Sequence, residues 1–377
     1  MWSKHEMEIQ GLNLYNGAGY LLLLYLCVIK KIGTNTNRRY EIYVEVFGRV
    51  LAVNGIALLF TWAGKAEGRY IIEDVVYILI CTIIESIVFA LIFFAYKEIR
   101  KHTQGEKICF ISKEDTMEQA IEKIQQKDNI FLDDIPSEQR NELLKSCYEQ
   151  EKQVYCTAKL SDVIIRGSRL TQYNDTPVLF CAKFGFGLGY KIVKRILDVI
   201  GALIALLVLS PVFLIVACKI KSEDGGTVFY HQTRCTKDMK EFQIYKFRSM
   251  IMNAEDENGA ILAKKDDERL TKIGHFIRKT KIDELPQLIN ILKGEMSFVG
   301  PRPERPEFIE KAQKDIPEFV LRTTVKAGLT GYAQVMGRYN TEFLDKLKWD
   351  IMYIENYSLF LDAKILLMTV FIILRKE

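Results

Sequence analysis

Ile196 to Ile220 reads ILDVIGALIALLVLSPVFLIVACKI, an apolar run with one acid, Asp198, and one base, Lys219. Lys191, Lys194 and Arg195 precede it, and Lys221 follows. Both ends therefore carry the charge that favours the cytoplasmic side of a bilayer. A simple span would leave one cluster on the wrong face, whereas a segment that enters and returns keeps both inside. Ser210-Pro211 supplies the turn. Proline deletes a backbone donor and crowds the preceding turn, so residues 192–221 are predicted to break near the middle into pieces too short for about 30 Å of hydrocarbon. The Ser210 hydroxyl is a candidate partner for a freed backbone group. A kinked but spanning helix is the alternative. Asp198 lies four residues after Lys194 and three after Arg195, which predicts an ion pair along the helix.

Upstream, Leu12 to Ile29, Val44 to Ala63 and Ile71 to Tyr96 are apolar. About three membrane helices are expected within residues 1–104. The first run has no small-residue cleavage site and reads as an anchor rather than a signal peptide. Lys30, Lys31, Arg38 and Arg39 follow it, and Lys97, Arg100 and Lys101 follow the third, placing both loops in the cytoplasm and the N-terminus outside. Glu45, Arg49 and Glu85 inside these runs read first as helix-packing groups and second as a polar pathway. Residues 105–183 change character. Short apolar strands (KICFIS, NIFLDDI, QVYCTA) alternate with helical segments at Thr116 to Gln126 and Ser137 to Glu149, predicting a small Rossmann-like parallel sheet. The first strand leads into Ser112-Lys113-Glu114-Asp115 instead of the glycine turn a dinucleotide needs. Phe184 to Gly189 (FGFGLG) reads as a flexible linker and domain boundary, leaving residues 190–377 as the third unit.

Composition narrows the chemistry. Lys+Arg number 52 against 48 Asp+Glu, a net charge of +4 that does not call for nucleic acid. The eight cysteines form no C-x-x-C pair, and the four histidines have no ligand spacing, so zinc chemistry and histidine-activated nucleophiles are disfavoured. Carboxylates remain. In FQIYKFRSM, Phe242 to Met250, strand alternation would put Lys246 and Arg248 on one face, which suits a phosphate. Thr280 to Glu304 reads TKIDELPQLINILKGEMSFVGPRPE. On a helix its adjacent Asp283 and Glu284 diverge by about 100° and address different atoms of one centre. Phosphoryl transfer needs alignment and neutralisation of spreading charge, so an aspartate nucleophile beside a glutamate on Mg²⁺, with Arg278 near, is chemically sufficient. A dipole-complementing cap is the bland reading of the same pair. Pro301 and Pro303 mount Arg302 rigidly, as a diphosphate or uracil pocket would want. Gly328 to Gly331 and the stretch to Arg338 read as a tight turn and a short strand presenting another arginine.

Together these residues resemble the bacterial sugar transferases, the monotopic polyprenyl phosphate phosphoglycosyl transferases, over about Lys191 to Arg375. The marks are K-R-x-x-D (Lys194 to Asp198), Ser210-Pro211, K-F-R-S-M (Lys246 to Met250), D-E-L-P-Q-L (Asp283 to Leu288), V-G-P-R-P-E (Val299 to Glu304), G-L-T-G-x-A-Q-V-x-G-R-Y-N-T (Gly328 to Thr341) and Leu347-x-x-Asp350 before Tyr353. The resemblance implies a long family member: an N-terminal transmembrane bundle, a small α/β domain, and a monotopic catalytic domain with a re-entrant helix. It implies attack by Asp283 on the β-phosphate of a UDP-sugar, release of UMP, and passage of the sugar phosphate to polyprenyl phosphate. Glu284 would hold Mg²⁺, with Asp350 a second acid at the metal. Lys246, Arg248, Arg278, Arg302 and Arg338 would contact or support phosphate and nucleotide. The setting implied is the cytoplasmic face of a bacterial inner membrane, among lipids, at the start of capsule, exopolysaccharide or O-antigen repeat assembly. Rival readings are a silent membrane scaffold and a phosphohydrolase using water. The chain departs from the family at Thr236 and Met239, where glycines are common, and at Ala327, where proline is. Leu359 to Leu374 reads as an interfacial helix. Which sugar is moved, and whether the protein is a homo-oligomer, is not written in the spacing.

Overall fold

The computed structural model describes residues 108–181, 185–251, 269–337 and 341–374, with Val50, Asn54, Ile84, Ile87 and Val88 before them. Apart from those five residues, the three expected N-terminal spans lie outside the described residues. Two compact units divide at Lys159 and Leu160.

In the first unit, β1 (Cys109–Ser112), β2 (Asn129–Asp133) and β3 (Gln153–Cys156) form a parallel sheet in that order. Helices α1 (Met117–Gln126) and α2 (Ser137–Glu149) make the crossovers. Thr116 caps α1 through a reciprocal pair with Gln119. Ile111, Ile124, Ile130, Leu132 and Leu143 close the core. The turn after β1 is filled by the protein itself. Asp115 accepts the Ser112 amide at 2.9 Å and pairs with Lys123 at 2.7 Å.

The second unit begins with α3 (Leu160–Arg166), whose Val163 buries with Phe319, Leu347 and Ile351. A hairpin follows, β4 (Arg169–Tyr173) with β5 (Thr176–Phe180). The glycine-rich stretch is not a free tether from Gly185 on. Phe186 is buried among Tyr190, Tyr353 and Tyr357, and the Gly187 amide donates to the Tyr357 hydroxyl at 2.9 Å.

Helix α4 (Leu188–Asp224) runs for 37 residues, about 55 Å at 1.5 Å per residue. It stays helical through Ser210-Pro211 instead of separating into two pieces, which corrects the predicted break. The reason is local. Pro211 cannot donate to the Leu207 carbonyl four residues back, and the Ser210 hydroxyl donates to that oxygen at 2.8 Å instead. Ala202 joins Leu288, Ile291 and Met296 in one cluster, and Val216 and Ile220 join Phe247 and Ile277 in another. Between them Leu207, Val208, Leu214 and Ile215 are exposed, Leu207 by 76%. So long an apolar stripe marks contact with something other than water.

The ends of α4 are pinned to the same unit. Arg195 donates to the carbonyls of Ile291 at 2.5 Å and Leu292 at 2.7 Å, at the C-terminal end of α6 (Gln287–Lys293). Asp198 accepts from the Ser297 hydroxyl and the Phe298 amide, both at 3.1 Å. Lys194 pairs with Asp362 at 2.6 Å. The ion pair expected along the helix is thus replaced by three tertiary contacts, because buried backbone and carboxyl groups offer partners that surface pairing cannot match.

Beyond α4, β6 (Phe229–Cys235) and β7 (Glu241–Phe247) make an antiparallel pair. In the connection Asp238 (φ 56) and Met239 (φ 59) are left-handed, the conformation in which glycine is cheapest. The other two departures from the family meet each other. The Ala327 amide donates to the Thr236 hydroxyl at 3.2 Å, and that hydroxyl donates to the Glu295 carbonyl at 2.7 Å. A proline at 327 has no such amide, and a glycine at 236 no such hydroxyl.

Helix α5 (Lys272–Lys279) precedes α6, and β8 (Met296–Val299) pairs in parallel with β9 (Ala327–Thr330). Between these strands lie α7 (Pro306–Asp315) and the 3₁₀ stretch Pro317–Thr324. After β9 come α8 (Tyr332–Met336), α9 (Phe343–Glu355) and α10 (Leu359–Leu374). The stretch after Gly331 is helical rather than the expected strand, with the Gly337 amide closing on the Ala333 carbonyl at 2.9 Å. In α10, Ile365 and Met368 are fully buried while Phe360, Val370 and Ile373 are exposed. The β8–β9 crossing demands glycine. A Cβ on Gly328 would lie 2.1 Å from the Gly300 nitrogen and 2.4 Å from the Thr330 oxygen. Gly328→Ala is expected to cost at least about 3 kcal/mol, since backbone rather than a side chain must yield. A melting temperature equal to wild type would contradict this packing.

Candidate active site

Asp283 and Glu284 sit in a single 3₁₀ turn, Ile282–Glu284, rather than on a longer helix. Lys281 enters the turn left-handed at φ 58, and after Leu285, Pro286 is the N-cap of α6. This geometry separates neighbouring side chains by about 120° and hands them to different partners. Glu284 Oε1 takes both Lys246 Nζ and Arg302 Nη2, each at 2.9 Å. Lys246 comes from β7, and Arg302 from the loop after β8. Asp283 is buried, and its Oδ1 has no hydrogen-bond partner. Around it stand the charges of Lys246, Glu284, Lys281 and Arg278. Two carboxylates thus share four cations, Lys246, Lys281, Arg278 and Arg302, leaving a positive excess for an anion.

The two acids are tuned apart. Burial raises the Asp283 carboxyl above the usual range; Lys246 opposes the rise and Glu284 adds to it. Burial also works against Glu284, yet Arg302 and Lys246 outweigh it and hold that carboxyl well below its ordinary value. Lys246 itself is lowered by burial, with Glu284 opposing the fall and Arg302 adding to it. Glu284 is therefore the fixed anion, and Asp283 the acid with an oxygen to offer.

The model of the bacterial sugar transferase family matches residues 189–376, the segment holding every one of these groups. A candidate undecaprenyl-phosphate N-acetylgalactosaminyl 1-phosphate transferase of Bacillus subtilis (strain 168) is 50% identical over 133 residues, 35% of this chain and 74% of that protein. The chain belongs to the bacterial sugar transferase family. A UDP-N-acetylgalactosamine-undecaprenyl-phosphate N-acetylgalactosaminephosphotransferase of Aeromonas hydrophila is 43% identical over 184 residues, 48% of this chain and 43% of that protein. The UDP-glucose:undecaprenyl-phosphate glucose-1-phosphate transferase of Klebsiella pneumoniae is 38% identical over 209 residues, 54% of this chain and 45% of that protein. The chain thus spans somewhat less than half the length of these two relatives.

Within this family member, the other sequence candidates divide. Arg278, on α5, donates from Nε to the buried Ser249 hydroxyl at 2.8 Å. The α5 start is held by Glu223 of α4, which accepts the Lys272 amide at 2.8 Å and the Ile273 amide at 3.3 Å. Arg248 pairs through Nη2 with Asp224, also on α4, while its Nε and Nη1 are buried without partners. Pro301 accepts the Gly328 amide at 2.9 Å, and Pro303 accepts from Arg234 at 3.3 Å, so both flank a fastened Arg302. Arg338 lies outside the described residues. Asp350 makes no direct contact with the Asp283-Glu284 pair among the described residues. It is enclosed in α9 and ion-paired with Arg322 at 2.8 Å.

No three His, Cys, Asp or Glu side chains form a metal-ligating group among the described residues. Mg²⁺ takes one or two carboxylates and fills its shell with phosphate oxygens and water. The orphaned Asp283 oxygen and a Glu284 whose Oε2 is outside both ion pairs fit such a donor set.

Sequence reasoning missed Lys281, Ser249, Arg322 and Asp362. Ser249 stands in K-F-R-S-M beside two basic residues that drew the reading. The others reveal themselves only through partners distant in sequence.

Burial pushes Asp350 up to about 6, with Arg322 pulling the other way. An aspartate raised in the fold holds its proton more tightly there than in the unfolded chain. Its stabilising contribution is thus complete below about pH 3.8 and lost as pH rises through about 6, on the order of 3 kcal/mol in all. Relative to Asp350→Asn, the wild type is expected to gain thermal stability between about pH 7 and pH 4. Parallel melting curves for the two proteins across that range would contradict the placement.

Proposed function

We propose that this protein transfers a sugar 1-phosphate from a UDP-sugar to a polyprenyl phosphate, at the cytoplasmic face of a bacterial inner membrane. The observation that carries the reading is a buried, unpartnered Asp283 oxygen beside a Glu284 locked by two cations, within a unit built on a long apolar helix. The named relatives that act on undecaprenyl phosphate support the acceptor class.

In the first step an Asp283 carboxylate oxygen bonds to the β-phosphorus of the donor. The bond from that phosphorus to the bridging oxygen breaks, and UMP leaves with the electron pair. In the second, a phosphate oxygen of the polyprenyl carrier attacks the same phosphorus and returns the carboxylate to Asp283. The lipid leaves as a diphosphate-linked sugar. Lys246, Arg278 and Arg302 neutralise the phosphoryl oxygens. Glu284 keeps Lys246 and Arg302 at fixed positions, so no reorganisation is needed as charge develops. Mg²⁺ held by Glu284 and the donor's phosphates would supply Lewis-acid stabilisation of that charge.

The test is to incubate the purified protein with polyprenyl phosphate, Mg²⁺ and a panel of UDP-sugars while following UMP. Lipid-dependent UMP release with one or a few sugars supports the reading. Sustained release of free sugar phosphate without lipid would make the protein a phosphohydrolase, and no turnover with any sugar would favour a scaffold.

For the membrane, the proposal is that α4 lies with its exposed apolar side in one leaflet without crossing the bilayer. Support comes from its ends, since Arg195 and Asp198 near one end and Glu223 and Asp224 at the other all engage the same unit. Single-cysteine reporters at positions 191 and 221 are expected to react with an impermeant reagent from the cytoplasmic side only. Labelling from opposite sides would make α4 a spanning helix.

A further inference from the structure

Arg302 reaches Glu284 with its side chain, while its peptide is held from behind. Arg322 is 3% exposed and donates from Nη2 to the Arg302 carbonyl at 3.1 Å. The same nitrogen lies 2.8 Å from Asp350 Oδ2, and Nη1 lies 3.6 Å from Glu304 Oε1. From β6, Arg234 donates to the next carbonyl, Pro303, at 3.3 Å and lies 3.6 Å from Glu304 Oε2. Two successive carbonyls of one loop are thus each met by a guanidinium, Arg322 buried and Arg234 half-buried, with Glu304 balancing the charge between them. A continuous chain of polar contacts runs from Asp350 through Arg322 and the Arg302 backbone to Glu284, next to Asp283.

A buried arginine is an expensive way to hold a loop that glycine packing already anchors at Gly300. Desolvating a guanidinium is repaid only when its geometry is used. The geometry here is used in one direction, toward the peptide that carries the phosphate-facing Arg302. We propose that Arg322 is a positioning residue for the transfer reaction, fixing where Arg302 points, and that Asp350 serves by holding Arg322 rather than by binding metal. The inference rests on the phosphoryl-transfer reading above. Lysine does not replace Arg322 in this reading, because one ammonium lacks the planar guanidinium that donates to the Arg302 carbonyl while lying 2.8 Å from Asp350.

The experiment uses the full chain with the UDP-sugar that the wild type turns over, and compares Arg322→Lys, Asp350→Asn and Arg302→Ala with both double variants. A misplacement of about 1 Å is worth about 10²-fold in rate, so Arg322→Lys and Asp350→Asn are each expected to lower kcat/KM by about 10- to 100-fold. The Mg²⁺ concentration giving half-maximal rate should stay within about twofold. In the Arg302→Ala background either change should add less than about twofold, because the group being positioned is gone. A purely structural role would lower activity by the same factor in both backgrounds, and that additivity would overturn the proposal. A large rise in the Mg²⁺ requirement of Asp350→Asn would overturn it too, returning Asp350 to the metal. If Arg322→Lys does not fold, the near-isosteric Asp350→Asn still decides between these outcomes. Wild-type inactivity with every donor would sink the transferase reading and this inference with it, whereas an active wild type matched by Arg322→Lys would sink this inference alone.

Discussion

Asp283→Asn is expected to lower UMP release by at least about 10³-fold while leaving the fold intact. Asparagine keeps the shape and removes the charge, and an amide oxygen is a poor nucleophile toward phosphorus. Losing a nucleophile removes a whole step rather than one contact, which is why such replacements cost more than losing a single hydrogen-bond donor. The protein should tolerate the change. Asp283 is buried with an unpartnered oxygen and a carboxyl that burial holds above its usual range, so neutralising it relieves a cost instead of breaking a bond. Loss of activity together with unchanged or higher thermal stability is the signature to look for. An active variant would reject Asp283 as the attacking group, and a collapsed one would make it structural.

Glu284→Gln should behave in the opposite sense for binding. The glutamate is the common partner of Lys246 and Arg302 at 2.9 Å each, and removing its charge leaves those cations free for the donor diphosphate. Ground-state binding is then maintained or strengthened, so KM for the UDP-sugar should not rise. Turnover should fall by about 10²- to 10³-fold, the usual cost of disturbing a preorganised electrostatic group. Initial-rate kinetics separate the two parameters. A raised KM with intact kcat would make Glu284 a donor-binding residue and nothing more.

Local sequence carried the site further than it carried the scaffold. Asp283, Glu284, Arg302 and the prolines beside it lie within one short stretch, so their chemistry could be weighed together before any fold was known. The role of Ser210 was equally readable, since a proline names the carbonyl it orphans. What escaped was everything whose partner is remote. Lys194 was matched with Asp198, four residues on, but its carboxylate is Asp362, 168 positions away. Asp198 turned instead to Ser297 and Phe298, 99 and 100 positions away. Helical spacing ranks surface neighbours well, yet it is blind to burial, which rewards whichever partner satisfies a desolvated group. The metal role of Asp350 came from the family resemblance alone, and Arg322, its partner in the fold, lies 28 positions away.

The most direct measurement is the intact mass of the protein after brief exposure to its UDP-sugar and Mg²⁺ without polyprenyl phosphate. An increase equal to one sugar phosphate, localised to Asp283 by peptide mapping and discharged when the lipid phosphate is added, is the expected result. No added mass on any carboxylate, with UMP released only once the lipid phosphate is present, would contradict it.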